Sequence, residues 1–140
     1  LHMGPSGSGQ LMKMTNNVLY NISIAAMAEM LPLAVRLGLD PEKVYQVVST
    51  GSGQSFGFDY HAARAMVRRF DQGYPLASAY KDMTTLVERA NEQHAAMPVA
   101  SAAMQTYRMA LAQGFGGESK AAMIKVWEQA LEVEVRGGTR

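Results

Sequence analysis

The chain of 140 residues has the length of a single domain, and with 48% hydrophobic and 18% charged residues its composition is globular, not disordered. A formal net charge of +1, with no cluster of Lys and Arg beyond Arg68-Arg69, gives no electrostatic footprint for nucleic acid. The absence of cysteine excludes disulfides, thiolate metal sites and cysteine nucleophiles and fits a reducing, cytoplasmic setting, while three scattered histidines (His2, His61, His94) argue against a metal centre.

The chain opens on a glycine-rich turn, Gly4-Pro5-Ser6-Gly7-Ser8-Gly9, followed directly by an apolar helix over about Gly9 to Leu37. Glycines there allow positive φ angles and a close approach of backbone to a ligand, and a helix start offers free N–H groups and a positive dipole end. Lys13 is the only charge between Gly4 and Glu29. Asn17 follows Lys13 by four residues, so the two share a helix face one turn apart. A lysine in a first turn often snorkels to water, but the glycine turn, Asn17 and the neighbouring Asn16 together make a ligand site the better expectation. Apolar residues nearly all round the middle of this helix, from Ile22 to Val35, make it the central, buried element, with a kink expected ahead of Pro32. Pro32 and Arg36 interrupt its apolar run, so no membrane span is expected.

Gly38 is placed as a C-terminal cap, and Asp40-Pro41 reads as the N-cap and first residue of a second helix, about 41–49. Ser55 caps a third, about 56–70, with Arg64, Arg68 and Arg69 on its outer face; Asp71-Gln72-Gly73-Tyr74-Pro75 is a turn. A fourth helix, about 76–95, buries Leu76, Ala79, Tyr80, Met83, Val87 and Ala90 at helical spacing. Pro98 starts a fifth, ending at Gly114, and a sixth runs over about 119–135, after which residues 137–140 should fray. His61 and His94 are expected at the surface, and Phe70 and Trp127 in the core or at a subunit contact. No strand is expected. The fold class is all-α: a bundle of about six helices round a long kinked one, with eleven methionines suiting an adaptable core. The glycine order is G-x-x-G-x-G, not the dinucleotide fingerprint G-x-G-x-x-G, and no βαβ unit surrounds it.

The pattern Gly4-x-x-Gly7-x-Gly9-x-x-x-Lys13-x-x-Asn16-Asn17 resembles the catalytic motif of the β-hydroxyacid dehydrogenases, which include 3-hydroxyisobutyrate dehydrogenase and tartronate semialdehyde reductase. The resemblance continues through Ala28-Glu29, Leu37-Gly38-Leu39-Asp40, Phe70-Asp71-Gln72-Gly73-Tyr74 and Lys81-Asp82, and covers nearly the whole chain. It departs from the family after Asp82, where Met83-Thr84-Thr85 replaces a leucine, a glycine and a small residue. Leu1-His2-Met3 is similar to family sequence too, so a native linker is the expectation there.

The resemblance implies that residues 1–140 are the C-terminal helical domain of a two-domain oxidoreductase, like that of 6-phosphogluconate dehydrogenase-like enzymes. The Rossmann domain that binds NAD or NADP would lie outside this chain, which alone would be inactive. It further implies hydride transfer between a small 3-hydroxy acid and its semialdehyde, with Lys13 as general acid/base. Gly4, Gly7, Gly9 and Asn17 would bind substrate, and Lys81 and Asp82 would contact the cofactor. An exposed helix lysine is the competing meaning of Lys81. A homo-oligomer, dimer or tetramer, is expected because the first helix is so apolar. The alternative is a non-catalytic helical dimerisation or interaction module.

Overall fold

In the computed structural model, which describes residues 1–138, six α-helices and one 3-10 turn form an all-α bundle with no strand among the described residues. They are α1 (Ser8–Arg36), α2 (Pro41–Thr50), α3 (Phe56–Met66), α4 (Leu76–Glu92), α5 (Pro98–Ala112) and α6 (Ile124–Leu131), with the 3-10 turn Lys120–Met123 before α6. The 29-residue α1 is the axis: α3, α4, α5 and α6 all pack on it. Val18, Ile24, Ala25, Met27, Ala28 and Leu31 on α1 meet Phe58, Ala62 and Ala65 of α3, Met83 of α4, Tyr107 of α5 and Ile124 of α6 in one continuous core. The Tyr107 hydroxyl donates to the Asn21 carbonyl at 3.0 Å, tying α5 to the middle of α1.

Local signals place the helix ends. Asp40 accepts from the backbone N–H groups of Glu42 and Lys43, Pro41 fills the first helical position of α2, and Ser55 accepts from the Phe58 N–H at the start of α3. Gly38, at φ 93°, closes α1 with Gly38 N–H to Val35 and Leu39 N–H to Ala34, the paired bonds of a left-handed helix stop.

Several boundaries differ from the sequence expectation. Helix α3 stops at Met66, not near residue 70, because Arg68 takes a left-handed conformation, and Arg68 pairs with Glu128 at 2.5 Å instead of facing outward. The expected sixth helix over 119–135 is a 3-10 turn joined to an eight-residue α6, after which the chain turns back. The segment that follows docks rather than frays as far as it is described: Val135 is fully buried and the Gly137 N–H donates to the Met66 carbonyl. Thr139 and Arg140 lie outside the described residues. Helix α1 is, against the sequence expectation, long and apolar enough to cross a membrane by length and composition, since Arg36 falls only at its last residue. One side of it enters the bundle core, where eight of its residues are buried, while Met12, Leu19 and Met30 on it stay exposed.

Candidate functional site

Three segments distant in sequence meet at a cleft beside the first half of α1. Helical spacing puts Lys13, Asn17 and Asn21 on one face, one turn apart each. Opposite stand Tyr74, from the turn before α4, and Asp82 and Thr85 of α4; Lys120, the first residue of the 3-10 turn, closes the inner end. The space enclosed is about 520 Å³.

Two loops, distant in sequence, build the far wall. The Ser119 N–H donates to the Phe70 carbonyl at 2.8 Å, the Leu76 N–H to Glu118 at 2.8 Å and the Ala77 N–H to Gly116 at 3.0 Å. This lacing, with the bridge between Pro75 and Ser119, fixes Tyr74 and Lys120 relative to each other. The Tyr74 hydroxyl donates to Asp82 Oδ2 at 3.1 Å and holds that carboxylate against the α4 side.

The cleft grades from open to dry. Lys13 is exposed, Asn17 half-buried, and Asn21 and Lys120 buried at 2% and 4% exposure. Lys120 Nζ donates to Asn21 Oδ1 at 2.9 Å and lies 3.9 Å from the centroid of the Tyr20 ring, a cation over an aromatic face. Burial pulls the Lys120 pKa down to about 8, partly opposed by the Asp82 charge, so the ammonium form still predominates at neutral pH. Tyr20 in turn sits with its hydroxyl 2.8 Å from His61 Nε2. Burial chiefly, then the charges of Lys120 and Arg64, depress His61 to about 3 and keep it a neutral imidazole.

Of the residues singled out in the sequence, Lys13, Asn17 and Asp82 come together on this cleft. Gly4 and Gly7, at φ 118° and 93°, shape the turn that launches α1, Gly7 being its N-cap; neither they nor Gly9 line the cleft wall. Lys81 is exposed on α4, next to the cleft-lining Asp82 but not lining it. Asn16 is exposed and lines a neighbouring hollow with Phe56. His61, expected at the surface, is buried at 3% exposure because α3 presses it against Tyr20. Sequence reasoning missed Asn21 and Lys120. Asn21 carried a signal, being a polar residue one turn beyond Asn17; so did Lys120, a charge directly ahead of the apolar run Ala121-Ala122-Met123-Ile124.

Comparison with known proteins bears on what this cleft belongs to. The family profile described as NAD-binding of NADP-dependent 3-hydroxyisobutyrate dehydrogenase matches residues 7–127. A 2-(hydroxymethyl)glutarate dehydrogenase of Eubacterium barkeri is 33% identical over 98% of this chain and 46% of its own length. An L-threonate dehydrogenase of Cupriavidus necator is 30% identical over 86% of the chain and 41% of its own length. The crystal structure of 3-hydroxyisobutyrate dehydrogenase from Salmonella typhimurium superposes with a TM-score of 0.82 at 28% identity, over 86% of this chain and 42% of that one. The chain thus spans under half the length of the curated relatives it matches.

Proposed function

The chain belongs to the family described as NAD-binding of NADP-dependent 3-hydroxyisobutyrate dehydrogenase, and from that premise we propose that it is the helical, substrate-binding part of an NAD(P)-dependent dehydrogenase. Its reaction interconverts a small 3-hydroxy acid and the corresponding semialdehyde. The observation that carries this proposal is the opening of Lys13 and Asn17 onto one cleft, with a carboxylate, Asp82, on the facing helix. The names of the relatives, formed on 2-(hydroxymethyl)glutarate, L-threonate and 3-hydroxyisobutyrate, support a small hydroxy acid as the substrate class.

In this reading Lys13 Nζ takes the proton from the substrate hydroxyl oxygen as the carbon beneath it is oxidised, and returns it in the reverse direction. Asn17 provides a donor and an acceptor that do not ionise, so its work is to orient the reacting oxygen. The turn Gly4–Gly9 leads into the first N–H groups of α1, where a carboxylate is favoured by the helix dipole. NAD or NADP, when bound, supplies the hydride acceptor or donor. The described residues contain no strand and no βαβ unit, so a dinucleotide would rest mainly on a domain outside this chain. The exposed ammonium of Lys81, adjacent in sequence to Asp82, suits a contact to a cofactor phosphate. The absence of cysteine supports a cytoplasmic location, and the exposed apolar side of α1 supports a homo-oligomer.

The direct test is Lys13→Ala in the full-length protein. A general acid/base is worth about 10²–10⁴-fold, so kcat should fall by that range while the helical circular-dichroism signal is kept. Turnover close to the unsubstituted protein would sink the assignment.

A further inference from the structure

Lys120 makes no ion pair among the described residues. The four ion pairs among the described residues engage Arg68, Arg89, Lys125 and Arg136. Of the three N–H donors on the Lys120 ammonium, one is taken by Asn21 Oδ1; around the rest lie the rings of Tyr20, at 3.9 Å, and Tyr74, at 5.9 Å. Asp82 lines the same cleft, but its carboxylate accepts from Tyr74 and makes no ion pair with Lys120. A buried cation held by one neutral acceptor is costly to fold, and methionine would fill the same volume without that cost. A charge kept on these terms at the wall of a cleft is suited to an anion that arrives from outside.

That anion cannot easily be the one that Lys13 meets. Lys13 and Asn21 are eight residues apart on α1, roughly 12 Å along the helix axis, and the Lys120 ammonium is fixed at the Asn21 level. The cleft thus offers cations at two depths, one at its open mouth and one at its dry end. We propose that Lys120, seated by Asn21, is the second carboxylate-binding point of the site, and that the substrate is a dicarboxylic hydroxy acid whose far carboxylate reaches it. This rests on the dehydrogenase reading for the word substrate. The subsite itself rests only on the geometry of Lys120. As a specificity determinant, Lys120 selects among hydroxy acids by the presence and distance of the second charge.

The experiment is calorimetric titration of the full-length protein with butyrate, succinate, glutarate and adipate. The best-spaced dicarboxylate should bind about tenfold or more tightly than butyrate. In Lys120→Met that ratio should collapse toward one, and Lys120→Arg should restore part of it. Without any ligand, Lys120→Met should melt at a higher temperature than the unsubstituted protein, because an uncompensated buried charge is gone. Were Lys120 merely joining the 3-10 turn to α1, the same variant would melt lower. Lys120→Gln provides the second reading of the ratio if the methionine variant fails to fold. A ratio near one, dicarboxylate binding too weak to measure, or a ratio that survives loss of Lys120 overturns the proposal. The two readings fail separately. Turnover of hydroxy acids without discrimination between one and two carboxylates removes the subsite and leaves the dehydrogenase, whereas intact discrimination without any NAD(P)-linked turnover does the reverse.

Discussion

Burial decides what each polar side chain near Tyr20 can do. His61 is closed in by α1 and α3, shares its Nε2 with the Tyr20 hydroxyl, and leaves Nδ1 buried without a partner. With two cations nearby, Lys120 and Arg64, it stays neutral until about pH 3, whereas in the unfolded chain it titrates near 6.5. Between those values the unfolded state binds a proton that the folded state does not. His61 therefore withdraws stability as pH falls from 6.5 toward 3, by about 2 kcal/mol at pH 5, and has no such effect above 6.5. Replacing it removes the effect: in His61→Gln the melting temperature should fall less between pH 7 and pH 4.5 than in the unsubstituted protein, and an unchanged acid limb would show that the burden lies elsewhere. The same residues mark the limit of what the sequence discloses about the site. Lys13 stands out as the only charge between Gly4 and Glu29, and Asn17 lies one helical turn beyond it. Lys120 follows Glu118 by two residues, and its place in the cleft depends on the turns at 70–77 and 114–119 meeting in space, which no local pattern carries. His61 reads as a surface residue from its polarity alone, since the Tyr20 that covers it is 41 residues away.

Helix ends show the same division between local and distant causes. Left-handed residues close α1 and α5 at Gly38 and Gly114, and both were legible because glycine pays no steric cost at positive φ. Arg68, His94 and Glu132, at φ 58°, 54° and 53°, perform the same turn after α3, α4 and α6 without glycine, so the expected ends of those helices ran several residues too far. Arg68 has a reason to be there, since its guanidinium reaches Glu128 and the Val135 carbonyl and anchors the C-terminal segment. His94 is exposed and makes no side-chain hydrogen bond among the described residues, so nothing there offsets its strain. His94→Gly should stabilise the protein by about 1 kcal/mol, read as a higher urea midpoint at unchanged slope; a lower midpoint would mean that glycine's freedom in the unfolded chain outweighs the relief. Gly57 poses the opposite case. A Cβ there would stand 2.2 Å from Ser23 Oγ and 3.2 Å from the Tyr20 carbonyl oxygen, so α3 approaches α1 this closely only with glycine. Ser23 can rotate away, but the Tyr20 backbone cannot. Gly57→Ala should therefore cost about 1–3 kcal/mol and lower the urea midpoint, with a neutral result showing that the two helices can part without penalty.

The whole molecule exposes more surface than its mass requires. Compact monomers of 15.2 kDa present about 7,100 Å², and this chain presents 8440 Å². Part of the excess is the shape of α1, a rod roughly 43 Å long that is buried only from Val18 onward. Part of it is apolar. Met12, Leu19, Ala26 and Leu33 recur every seven residues along α1, with Met30 and Leu37 beside them, and all are exposed. The apolar character that made α1 the expected central helix thus has two destinations: one side enters the bundle core, and the other remains uncovered. A seven-residue apolar repeat is what a partner helix packs against, which favours self-association along this stripe over a solvent-facing role. The consequence is measurable in the full-length protein by sedimentation velocity. It should sediment as a homo-oligomer at micromolar concentration, and Leu19→Glu with Met30→Glu should shift it toward the monomer while the circular-dichroism spectrum is retained, because neither side chain is part of the core. An unsubstituted protein that remains monomeric would remove the interface. An oligomer indifferent to both substitutions would move it to another face.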